Sequence, residues 1–196
     1  MGRRVTAMQH SRNAAQGRGV RRIRRLTPRP ASEDPRFVVR WGEFASLRPD
    51  LADAGRLLLY QYGVGLAFLA TTRDDGAPRV HPMCPLLTDD TLYAFIVPSP
   101  KRRDLHRDGR YALHSFPADE NEDAFYLTGR AELVSDDETR RALASQFARE
   151  RDRTEPPAEL ATWELFALDV ESSVLTRTVG HGDPAPEHTA WHATGG

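Results

Sequence analysis

Apolar side chains between residues 43 and 62 return at helical spacing. Leu51, Ala54, Leu58, Leu59 and Tyr62 fall near a 3.6-residue repeat. Pro49 lies early in the segment, where a helix tolerates it, and Gly63 and Gly65 end it. The spacing predicts one helix over 43–62. Ahead of it, Phe37, Val38, Val39 and Trp41 are apolar enough to dock on a core.

From Val64 the period changes. Val64 to Arg73 is a short apolar run ending in threonines and predicts a strand. Asp74-Asp75-Gly76 is a hairpin turn signal, and Pro78 to Leu87 is the expected partner strand. Pro82 and Pro85 inside it cannot donate ladder hydrogen bonds, which confines it to an edge or a bulged position. After Thr88-Asp89-Asp90, Thr91 to Val97 is the clearest strand in the chain. Residues 100–109 read as a short basic helix or loop closed by Gly109, and Tyr111 to Phe116 as a fourth strand. An acidic loop, 117–123, leads into a fifth strand, Ala124 to Val134, with a bulge expected at Gly129. Asp136 to Arg151 reads as an exposed helix with Leu143 and Phe147 on its inner face, broken by Pro156-Pro157. Trp163 to Val170 and Ser173 to Val179 close the sheet as a sixth strand or a bent pair. The tail from Gly180 is rich in Gly, Pro and His and reads as extended. No internal repeat is present.

Strands joined by short turns in a mostly antiparallel order predict a mainly β, α+β fold. The expected architecture is a six-stranded antiparallel barrel, closed or split, with a few peripheral helices. The chain divides into an arginine-rich leader over 1–35, expected to be disordered, a barrel domain over 36–179 and an extended tail over 180–196.

Composition changes this picture in three ways. The chain has 196 residues and one cysteine, Cys84, so no internal disulfide forms and a reducing compartment fits. No apolar run approaches the roughly 20 residues of a membrane span, and the basic N-terminus is not followed by an apolar segment of a signal peptide. A cytoplasmic location is expected. The net charge of −1 hides an asymmetry, because the first 32 residues carry nine arginines and no acid. Such a leader suits a basic arm for nucleic acid or a membrane surface, or else a plain unstructured extension. No aromatic residues interleave its arginines to stack on bases, which favours the extension. Neither a membrane nor nucleic acid is therefore an expected partner.

Lys101 is the chain's one lysine among 27 basic residues. It follows a strand, beside Ser99 and next to Arg102 and Arg103. A compact ammonium in that setting suits a phosphate clamp, and the bland alternative is chance survival of one lysine. Other candidates are weaker. His81 either lines a ligand or faces solvent, and His114 reads as half-buried and structural. Tyr126 and Thr128 alternate on one strand face and read as packing. His181, His188 and His192 lack metal-site spacing, so no metal is expected. Trp191 either covers a ligand edge or anchors the tail. Cys84, flanked by Met83 and Pro85, reads as an inert thiol. No general acid or base can be assigned.

Several pieces in order carry a family resemblance. They are Ala67-Phe68-Leu69-Ala70-Thr71-Thr72-Arg73, Asp75-Gly76-Ala77-Pro78-Arg79-Val80-His81-Pro82 and Leu92-Tyr93-Ala94-Phe95-Ile96-Val97. Pro100-Lys101-Arg102-Arg103-Asp104-Leu105, Arg110-Tyr111-Ala112-Leu113-His114-Ser115 and Phe125-Tyr126-Leu127-Thr128-Gly129-Arg130-Ala131 follow. Together they resemble the pyridoxamine 5'-phosphate oxidase-like flavin-binding split barrels over most of residues 40–178. The resemblance implies a homodimer with a flavin at the subunit interface. It places the isoalloxazine along the backbone of Arg79, Val80, His81 and Pro82. It places the ribityl phosphate at the end of the third strand, at Val97, Ser99, Lys101 and Arg102, with help from Arg79. The implied activity is hydride transfer to or from a small-molecule substrate, with FMN as cofactor. A phosphorylated deazaflavin coenzyme is the alternative, with haem behind it. The second functional expectation is a non-catalytic, stress-type protein that binds flavin, haem or a tetrapyrrole. The chain departs from the vitamin B6 oxidases at its end. His188-Thr189-Ala190-Trp191-His192-Ala193 stands where those enzymes carry an arginine-rich substrate signature, so vitamin B6 oxidation is not expected.

Overall fold

The computed structural model describes residues 37–194, so the arginine-rich leader lies outside the described residues. The expected helix over 43–62 is two helices, α1 (Trp41–Leu47) and α2 (Pro49–Leu59). Pro49 is the reason. The residue before a proline is pushed out of the helical region, and Arg48 sits at φ −139°, ψ 69°. The break lets both helices lay apolar faces on one end of the barrel. Trp41, Phe44, Leu51 and Leu59 are almost fully buried there. Trp41 meets Phe44 edge-on at 5.4 Å and Phe125 at 6.3 Å.

The barrel wall is one antiparallel sheet of eight strands, two more than the sequence pattern suggested. They are β1 (Ala67–Thr72), β2 (Pro78–Met83), β3 (Pro85–Leu87), β4 (Leu92–Ile96), β5 (Arg110–Ser115), β6 (Ala124–Leu133), β7 (Glu164–Arg177) and β8 (Glu187–His192). Between β4 and β5 lies α3 (Pro100–Arg107), and between β6 and β7 lies α4 (Asp137–Arg149). The spatial order is β2-β1-β5-β6-β7-β4-β3, with β8 added on β7. The inward residues of β1 (Ala67, Leu69, Thr71) are buried and the alternate ones are half-buried, as period 2 requires.

The two ends of that order are consecutive in the chain. β2 and β3 are the opposite edges of the sheet, and Cys84 alone separates them. The sheet therefore curls until its edges meet at one residue and stops short of pairing. This divides the single strand expected over 78–87, and both internal prolines lie on edge strands, where a missing N–H is harmless. Side chains take over the unpaired backbone of β3. The Leu87 amide donates to the Tyr60 hydroxyl at 2.9 Å, and Gln146 Nε2 donates to the Leu87 carbonyl at 3.1 Å. Burial pushes the Tyr60 phenol up to about 12, so it stays a neutral donor and acceptor. Gly65 completes the seam, because a Cβ there would lie 2.1 Å from the Pro85 carbonyl oxygen.

β7 is one continuous 14-residue strand, the first of the two alternatives expected for 163–179. Its first half pairs with β4, Val39 bridges Val170, and its second half pairs with β8. The interruption at mid-strand is a bulge. Thr128 faces Ser172 and Gly129 faces Val170, which leaves Glu171 as the extra residue. The bulged residue thus sits on β7, and Gly129 is its close-approach partner on β6. The tail from Gly180 includes β8, and Trp191 anchors it against Phe44 at a ring distance of 5.0 Å. A second apolar cluster joins Leu143 and Phe147 of α4 to Leu86, Phe95, Leu160 and Leu165 outside the barrel. Among the described residues no helix is long and apolar enough to cross a membrane.

Candidate functional site

The seam brings several of the sequence-selected residues to α3. Ser99 is the N-cap residue of that helix, in extended conformation, but its hydroxyl donates back to the Val97 carbonyl at 2.9 Å and caps nothing. Pro100 has no N–H to satisfy. The amides of Lys101 and Arg102 follow in the first turn, where a helix has no internal acceptor to offer. That turn carries no acidic side chain. The N-terminus of α3 is therefore a set of donors with positive potential.

Lys101 stands at this turn, half-buried. The other half-buried cations among the described residues are Arg48, Arg79, Arg102, Arg140 and Arg151. Each of those has a carboxylate or carbonyl partner. Lys101 has none. Burial pulls its ammonium below lysine's usual range, against a smaller opposing pull from nearby Cys84. An unpaired, partly desolvated cation is unfavourable by itself, and an anionic ligand is the partner it lacks. The residues present fit a phosphate group.

Arg79 reaches the same helix from β2. Its Nε donates to Asp104 Oδ2 at 2.8 Å, and Thr71 Oγ1 donates to the same oxygen at 2.9 Å. Arg107 Nη1 holds Oδ1 at 3.3 Å and its Nη2 donates to the Thr72 carbonyl. Burial pushes the Asp104 carboxyl up, and the hydrogen bonds from Arg79, Thr71 and Arg107 more than reverse this, so it lies below the usual carboxylate range. Asp104 is 4% exposed.

Period 2 divides the rest of β2. Arg79, His81 and Met83 share one face of the strand, the face of their β1 partners Thr71, Leu69 and Ala67. Val80 and Pro82 lie on the outer face. His81 is exposed and Val80 is 59% exposed. Arg102 turns away from Lys101, donating to the Thr162 carbonyl at 3.3 Å and pairing with Glu164 at 3.6 Å, where His106 joins at 2.6 Å. The structure therefore ties Arg79 to Asp104 of α3, three residues beyond Lys101, and gives Arg102 a different partner. Sequence reading missed Asp104, Thr71 and Arg107. The one signal was a single acid among the cations of 101–107, three residues after Lys101 and so on the same helix face.

Outside the barrel, register aligns one row of side chains across six strands, the middle four of them small. Val80, Ala70, Ala112, Thr128, Ser172 and His192 are successive partners. Over the middle of this row lies an open groove of about 490 Å³, whose floor includes Ala70, Ala112 and Gly129. Beside it run Phe68, His114, Tyr126 and Val174, with Phe68 stacked on Phe116 at 4.3 Å. Among the described residues no group of His, Cys, Asp and Glu could hold a metal ion.

A wall of this topology with donors at its seam invites comparison with known proteins. The family profile for pyridoxamine 5'-phosphate oxidase matches residues 63–171, more than half of the chain. The chain belongs to that family. It has the family's split-barrel, α+β fold. A Listeria innocua protein described as a candidate pyridoxamine 5'-phosphate oxidase is 16% identical, with a TM-score of 0.52 over 63% of this chain and 95% of that one. A NimC/NimA family protein of Clostridium acetobutylicum is 14% identical, with a TM-score of 0.50 over 72% of this chain and 94% of its own. A heme binding protein of Mycobacterium smegmatis is 18% identical, with a TM-score of 0.50 over 69% of this chain and 57% of that one. Identities this low carry a likeness of fold. No curated protein matches the sequence.

Proposed function

We propose that the protein is a homodimeric oxidoreductase that holds a phosphorylated flavin-type coenzyme, FMN or a phosphorylated deazaflavin. In this reading it moves hydride to or from a small molecule. The observation that carries the reading is Lys101, a half-buried cation with no partner among the described residues at the open N-terminus of α3. A phosphate monoester supplies the missing charge and accepts from the first-turn amides. Arg79, already held against α3, is the second cation. Arg102 is committed to Glu164 and contributes less than its position beside Lys101 suggests.

When bound, a flavin supplies hydride transfer at its N5 position. The work left to this chain is binding, orientation and exclusion of water. The edge of β2, from Arg79 to Pro82, offers backbone donors and acceptors with no strand beside them among the described residues. The outer sheet face, with its small-residue groove and the Phe68–Phe116 stack, is the surface a second copy covers. A deazaflavin shares the phosphate and differs in the ring, so the clamp serves both. Haem lacks a phosphate and leaves Lys101 with only a propionate.

Denaturing the purified full-length protein and measuring the absorbance and mass of whatever is released tests this. The expected result is a phosphorylated flavin or deazaflavin, and micromolar or tighter rebinding of FMN by the stripped protein, about −8 kcal/mol. A colourless protein with no affinity for FMN, or one that releases haem, contradicts the proposal. Tight flavin that no nicotinamide or deazaflavin donor reduces makes the protein a carrier instead of an oxidoreductase.

A further inference from the structure

We infer that Asp104 is a positioning residue of the phosphate site. It clamps Arg79 of β2 to the helix that carries Lys101, and so fixes the spacing of two ligand-binding cations without touching the ligand. This rests on the phosphorylated-coenzyme reading above.

β2 is an edge strand, paired only with β1, so the sheet alone leaves its inward side chains weakly held. Asp104 supplies what the missing neighbour strand does not. Its Oδ2 takes Arg79 from β2 and Thr71 from β1, and its Oδ1 takes Arg107 from its own helix. Arg107 in turn reaches the Thr72 carbonyl, so α3 is tied to β1 at two points and to β2 at one. Lys101 lies three residues before Asp104, on the same face of α3.

Only the Nε of Arg79 is used. Among the described residues neither of its Nη groups has an acceptor, which leaves the forked end of the guanidinium for a ligand. A free arginine loses rotamer freedom when it grips an anion. Asp104 imposes that loss during folding, so the site is preorganised. A carboxylate near a phosphate site would ordinarily repel the ligand. Here its charge is cancelled within the cluster. Arg79, Arg107 and Lys101 against Asp104 leave two positive charges, close to the about −2 of a phosphate monoester at neutral pH.

The test titrates full-length wild type, Asp104→Asn, Thr71→Val, Arg79→Met and the Arg79→Met/Asp104→Asn pair with FMN and with riboflavin. The readout is the ratio of the two affinities, which a general loosening of the fold leaves unchanged. Asp104→Asn is expected to lower that ratio about tenfold, the scale of one charge-assisted hydrogen bond. Thr71→Val, which keeps the side-chain shape and removes one anchor of Asp104, is expected to lower it about threefold. It serves if Asp104→Asn does not fold. In the Arg79→Met background Asp104→Asn should have no further effect. A wild-type ratio in Thr71→Val or Asp104→Asn, or an equal loss with and without Arg79, overturns the positioning role and leaves the phosphate site standing. A wild type that binds both compounds equally overturns the phosphate reading itself.

Discussion

Lys101→Met should weaken FMN binding by about a hundredfold, the upper range for a hydrogen-bonded charge on an ionised ligand. Riboflavin, which lacks the phosphate, should bind within about threefold of wild type. The size of the loss follows from setting. Lys101 is partly withdrawn from water, has no competing carboxylate among the described residues and belongs to the first turn of α3, which carries no acid. Methionine keeps the aliphatic stem, so packing is little changed. Fluorescence titration with the two compounds measures the effect.

The same change should stabilise the empty protein. Burial lowers the Lys101 pKa in the folded state, so the unfolded chain binds its proton more tightly. The folded state is then disfavoured while lysine is charged, and wild-type stability recovers as pH rises from the folded pKa toward lysine's ordinary range. Lys101→Met removes the penalty below that window, and its melting temperature at neutral pH should exceed that of the ligand-free wild type. Opposite signs for binding and stability mark a residue kept for a ligand. A melt that falls together with FMN affinity would identify Lys101 as a structural residue instead.

Gly129→Ala should be the most damaging small substitution in the sheet, costing about 3–5 kcal/mol. A Cβ at Gly129 would lie 1.7 Å from the Asp169 carbonyl oxygen and 2.8 Å from its carbonyl carbon. Backbone cannot step aside there as a flexible side chain could. Asp169 belongs to the central strand β7, paired on both edges, and its carbonyl also accepts from the Tyr111 hydroxyl at 3.2 Å. Urea denaturation of Gly129→Ala checks the loss. A midpoint unchanged from wild type would show that the bulge can relax around an added methyl.

What the sequence made legible follows from locality. The turns at Asp74-Asp75-Gly76 and Thr88-Asp89-Asp90, the apolar run of β1 and the inward pair Leu143 and Phe147 are each written within a few neighbouring residues. All are where that pattern puts them. The break at Arg48 was also local, but Pro49 was read as tolerable in an early helical turn. It instead begins a second helix. β8 was obscured because its side chains are mostly exposed and polar, so no alternation marks it; its order comes from hydrogen bonds to β7. The seam at Cys84 was not legible, because only the closed circuit of strands makes one residue the meeting point of two sheet edges.

The site divides along the same line. Lys101 stood out by composition alone, as one lysine in a chain of arginines. Its neighbour Arg102 looked equivalent in sequence, yet one step along a helix turns a side chain by about 100°, and Arg102 faces Glu164. Asp104 escaped notice because its partner Arg79 lies 25 residues away on an edge strand. Contacts of that range belong to topology, which periodicity does not encode.

A crystal structure of the protein with FMN bound is the decisive experiment. The phosphate oxygens should lie within about 3 Å of Lys101 Nζ and of the first amides of α3, with the ring against β2 at an interface between two copies. A phosphate bound elsewhere, with the Lys101 amine still lacking any partner, would contradict the phosphate site at Lys101.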